Sequence, residues 1–82
     1  MDINELLRDQ IFGIIENQIE ANDPPETRET LERLRKEGYD EFTAKQLIGQ
    51  CVTVELYDVM QNGNAFDEER YIQNLKNLPK EP

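Results

Sequence analysis

Cys51 is the only thiol in this chain, and no histidine is present to activate it or to share a metal with it. Nucleophile–histidine pairs and Cys/His zinc sites are therefore excluded by composition. No glycine-rich phosphate loop occurs either. What remains is carboxylate chemistry, with 18 Asp and Glu against 9 Lys and Arg and a net charge of −9 over 82 residues. General acid–base catalysis needs two such groups fixed in a pocket with displaced pKa values. A chain this short seldom encloses one. We assign no catalytic residue and expect no enzyme.

One carboxylate pattern comes close to a metal site. From Asp58, "DVMQNGNAFDEE" sets Asp58, Asn62, Gly63 and Glu69 at the first, fifth, sixth and twelfth places of a calcium loop. Met60 stands where the third place needs an oxygen ligand, and the loop would unwind the end of a good helix. A helix stop at "NGN" explains the same residues. No metal site and no cofactor is assigned.

The acidity also limits partners. Nucleic-acid binding needs a basic face to displace counterions from phosphates, and the most basic stretch, "RLRKE", is flanked by glutamates. Neither nucleic acid nor an anionic membrane is expected as a partner. A lone cysteine among apolar residues reads as a buried, inert thiol and gives no sign of secretion. "MDINELLRDQ" has acids where a signal peptide needs bases, and no run approaches the roughly 20 apolar residues of a membrane span. The chain reads as cytoplasmic.

These residues must be held by a small fold. Hydrophobic residues are 37% and charged residues 33% of the chain, enough for one domain over 1–82 with a limited core and a stability of ~3–5 kcal/mol. The expected class is all-α, a four-helix antiparallel bundle with helices at about 3–21, 24–37, 41–62 and 68–78. Ile3, Leu6, Leu7, Ile11, Ile14, Ile15 and Ile19 recur at spacings of three and four, which makes one helical face. Gly13, inside that helix, is a candidate for close helix contact. Asp23 is the expected N-cap of the second helix, with Pro24 at its first position and Glu26 completing a capping box. Leu31 and Leu34 form its apolar stripe, and Glu29–Arg33 and Glu32–Lys36 are spaced as surface pairs. Gly38 suits a left-handed stop, with Tyr39 as the trailing contact.

Asp40 is the expected cap of the third helix. Its stretch "CVTVELYDV" alternates as a strand would, but Ala44, Leu47, Ile48, Cys51, Val52 and Val59 continue at helical spacing, so helix is preferred and placed centrally. Asp67 caps a short fourth helix whose apolar side is Tyr71, Ile72, Leu75 and Leu78. The expected core is Leu7, Ile11, Ile14, Ile15, Ile19, Leu31, Leu34, Ala44, Leu47, Ile48, Cys51, Val52, Val59, Ile72 and Leu75.

"ENQI", "NDPPETRETLERL", "EGY" and "NG…FDEERY", spread over roughly Ile11 to Leu78, resemble an uncharacterised family of small bacterial helical proteins. That resemblance implies a histidine four residues before the "ENQ" glutamate and two more, four apart, after "EGY". This chain holds Phe12, Phe42 and Gln46 there, and keeps Glu16. A histidine with a glutamate one turn on, facing two histidines, would form a metal constellation inside a bundle. The two phenylalanines cannot bind metal and favour dry packing.

Two functions are then expected. The first is a non-catalytic protein–protein interaction or self-association module, such as a homodimer, using apolar surface left on the first or third helix. The alternative is a small-ligand or metal-binding protein with an inter-helix site at a residual polar pair, Glu16 and Gln46.

Overall fold

The computed structural model describes the backbone from residue 3 to residue 82 and the side chains from residue 7 onward. Four helices make up the fold: α1 (Ile3–Ala21), α2 (Pro25–Lys36), α3 (Glu41–Asn62) and α4 (Glu68–Asn77). The described residues contain no strand, and α3 runs unbroken through the ambiguous "CVTVELYDV" stretch. Links of three to five residues join the helices. A radius of gyration of 12.3 Å is close to the ~12 Å of a compact chain this long.

Helices α2 and α3 each pack on all three others, whereas α1 and α4 do not pack backbone against backbone among the described residues and meet only through side chains. Across the α1–α3 contact, Leu7 lies by Tyr57 and Met60, Ile11 by Gly49, and Phe12 by Phe42. One sequence rises as the other falls, so these helices run antiparallel. The core between the layers is Ile15, Leu34, Ala44, Ile48, Cys51, Val52, Tyr71, Leu75 and Leu78. Burial pushes the Cys51 thiol up to about 11, as an inert thiol requires.

The helix ends are set by local chemistry. Gly38 has φ 107°, and Tyr39 and Gly38 donate to the carbonyls of Leu34 and Arg35, so α2 closes in a Schellman turn. Helix α1 closes the same way. Asn22 has φ 52°, and the Asp23 and Asn22 amides donate to Gln18 and Ile19. That turn removes Asp23 from its expected role. Pro24, not Asp23, is the N-cap of α2 and makes no side-chain cap bond. The double proline moves the start by one residue, because Pro25 takes the first helical position, where a missing N–H costs nothing. Asp40 and Asp67 cap as expected, accepting from the Thr43 and Arg70 amides at 2.7 and 3.1 Å. The Thr43 amide bond holds the Asp40 carboxyl below its ordinary pKa.

Polar groups tie the bundle at four places that spacing alone did not mark. Gln18 Oε1 of α1 accepts from Thr27 of α2 at 2.7 Å and from Tyr71 of α4 at 2.8 Å. Arg28 donates to the Ile19 carbonyl, and Arg33 to those of Leu75 and Leu78, so two arginines of α2 cap the C-terminal ends of α1 and α4. The expected Glu29–Arg33 pair is therefore replaced by Arg33–Glu37. Glu55 is completely buried, accepting from Arg70 Nε at 2.6 Å, Arg70 Nη2 at 2.9 Å and the Asp67 amide at 2.9 Å. Glu55 first, then Asp58, raises the Arg70 pKa further.

Candidate functional site

Among the described residues, a recess lies between α1 and α3. It is a groove of about 700 Å³ whose lining includes Leu7, Ile11, Phe12 and Gly49, the polar Gln46, Gln50 and Thr53, and the charged Arg8 and Glu81. A smaller, wholly apolar hollow of about 220 Å³ continues it, between Leu7 and Ile11 on one side and Leu56, Tyr57 and Met60 on the other. The groove exists because the helices touch where α3 has no side chain. A Cβ on Gly49 would stand 3.2 Å from Ile11 Cγ2. The close approach expected at Gly13 belongs to Gly49, and Gly13 has nothing within 4 Å of such a Cβ.

Large apolar side chains stand open along this face: Met60 at 77% exposure, Tyr57 at 65%, Phe42 at 55% and Leu7 at 44%. Leu7 and Val59 were both expected in the core, and neither is buried. Leu7 precedes the part of α1 that Ile15 anchors in the core. Val59 lies beyond Glu55, where the Asp67 amide already joins α4 to α3, so the inward stripe ends there. On α3, the outward positions Phe42, Gln46, Gln50, Thr53, Tyr57 and Met60 follow one another at spacings of three and four. None carries a charge. Exposed positions on α2 are the opposite: Arg28, Glu29, Glu32, Arg35 and Lys36.

The positions singled out by family resemblance do come together in part. Phe12 and Phe42 pack with ring centroids 5.7 Å apart at 44°, and Gln46 lines the same groove as Phe12. The pair sits at the rim, with Phe42 more than half exposed, so its packing is only partly dry. Glu16 lies outside the groove and is ion-paired to Lys45, which also faces Glu41 at 3.6 Å. Successive α3 residues point about 100° apart, so Glu16 reaches Lys45 and not Gln46. The hydrogen bond from Lys45 to Glu16 raises the lysine pKa, against partial burial that lowers it.

The calcium pattern is spent on other bonds. Asp58 accepts from Asn62, Asn64 and Arg70 at 2.8, 3.2 and 3.0 Å, which together hold its carboxyl below the usual range. Gly63 closes α3 at φ 68° with its amide on the Val59 carbonyl. Among the described residues, no three Cys, Asp or Glu side chains are grouped to hold a metal ion. No described helix is long and apolar enough to cross a membrane. No protein-family model, curated protein or solved structure matches this chain.

Proposed function

We propose that this protein is a non-catalytic interaction module, acting in the cytoplasm, whose docking surface is the α1–α3 face. The observation that carries the proposal is a row of large apolar side chains, open to solvent, along an uncharged stripe of α3 in a chain with net charge −9. Interface centres are depleted of charge and enriched in Tyr, Phe and Met. An exposed apolar patch of several hundred Å² on a small monomer marks such a surface.

Catalysis has little support in the same groove, where Arg8 and Glu81 are the only charged residues in the lining. The groove is open along its length, which suits a helix or a protein surface better than a small molecule needing enclosure on most sides. The resemblance to a family of small bacterial helical proteins adds no activity to this role.

A photo-crosslinking amino acid in place of Tyr57, expressed in cells, tests the proposal. The expected result is one dominant adduct from Tyr57 and none from the same group at Glu29 on α2. Equal labelling at both positions, or no adduct at Tyr57, would sink it.

A further inference from the structure

We infer that the occupant of the α1–α3 face is a second copy of this chain, in a two-fold dimer whose α3 helices pack antiparallel with Thr53 at the axis. The inference rests on the docking surface proposed above and adds the partner and its register.

Three observations converge on a second copy. The first is electrostatic. Two chains of net charge −9 repel wherever carboxylates face each other. Between Gln46 and Tyr57, α3 contains one charged residue, Glu55, and that residue is completely buried and paired with Arg70. Like-charged copies can therefore meet along this stretch without opposing carboxylates.

The second is shape. A two-fold axis at Thr53 sets Met60 of one copy opposite Gln46 of the other, and Tyr57 opposite Gly49, as an isologous contact requires. Met60 and Tyr57 are the most exposed large apolar side chains described, and Gln46 and Gly49 line the groove. Protrusion thus faces recess at Tyr57 and Gly49, while Met60 lies along the exposed Gln46 side chain. The outward spacing of three and four residues is that of a helix–helix seam.

The third is area. Phe42, Tyr57, Met60 and Leu7 at their observed exposures present roughly 400–500 Å². The uncharged residues between them bring a side toward the ~800 Å² of a standard interface.

Sedimentation velocity on the intact chain tests the inference, with Thr53→Asp and Thr53→Lys as variants. Thr53 is exposed, so circular dichroism should show both variants folded. The wild type should be a dimer at micromolar concentration. Each variant alone should dissociate about tenfold more readily or worse, because like charges meet across the axis. An equal mixture should recover the dimer, while Glu29→Lys should change nothing. A wild type that stays monomeric at about 1 mM, or a mixture no tighter than its components, overturns the inference. If the Tyr57 cross-linker then captures a different protein, only the second copy is refuted. If it captures nothing, the docking surface falls as well.

Discussion

Tyr71→Phe tests whether Gln18, Thr27 and Tyr71 act as one fastener. Both Tyr71 and Thr27 are completely buried, and both hydroxyls donate to Gln18 Oε1. The ring of the variant keeps its edge contact with Phe66, whose centroid is 5.4 Å away. The bond to Gln18 and a 3.3 Å contact with the Thr27 hydroxyl are lost, and with both hydroxyl protons on Gln18 only the first is a hydrogen bond. Gln18 still accepts from Thr27, and no buried polar atom is stranded. The cost should then be that of one hydrogen bond, about 1 kcal/mol. Thr27→Val should cost a similar amount for the mirror reason. The double variant leaves Gln18 Oε1 with neither donor, adding about 1 kcal/mol beyond the sum. Against a total stability of ~3–5 kcal/mol, a urea slope near 1 kcal/mol/M makes each single change a shift of about 1 M in midpoint. Strict additivity in the double-mutant cycle would refute the shared acceptor. So would a single-variant cost above about 3 kcal/mol.

Alkali should loosen the same core. Burial lifts Tyr71 to about 12 and Cys51 to about 11, and both are neutral when protonated, so the folded state holds protons that the unfolded chain releases. That stability is complete below about pH 9 and is lost as pH rises through 11 to 12, roughly 2–3 kcal/mol for each group. Urea midpoints at pH 8 and pH 11 measure it, and equal midpoints would contradict it. Arg70→Met should destabilise more than Glu55→Met, because the first strands a buried carboxylate and the second frees an arginine that can still hold Asp58. Thermal melts that rank them the other way would refute that order. Gly13→Ala should stabilise by about 0.5–1 kcal/mol, since its Cβ meets nothing. A loss of stability in denaturant would show a contact at that position.

Fold class was legible in the sequence because apolar spacing and turn residues are local signals. Gly38, Asp40, Gly63 and Asp67 do what their types prescribe. Asp23 failed because two prolines competed for one helical position, and only the chain geometry decides between them. Glu55 was hidden because a glutamate in an apolar run reads as a solvent-facing break. It does stand three residues after Val52 and seven after Ile48, on the inward stripe, and that spacing could have exposed it. Arg33 was read as a surface partner of Glu29 because the carbonyls it caps belong to another helix. The groove was half visible. Uncharged positions between Gln46 and Met60 are plain in the sequence, but their convergence with Leu7 and Phe12 depends on how α1 crosses Gly49.

The most direct measurement of the central claim is the solvent access of the Met60 methyl group, followed by NMR with a soluble paramagnetic probe. In isolated dilute chain, a side chain 77% exposed should be fully bleached. In concentrated protein or cell extract, an occupied α1–α3 face should protect that methyl, while the exposed Ala21 methyl stays bleached. Equal bleaching of Met60 at every concentration, in buffer and in extract alike, would contradict the account.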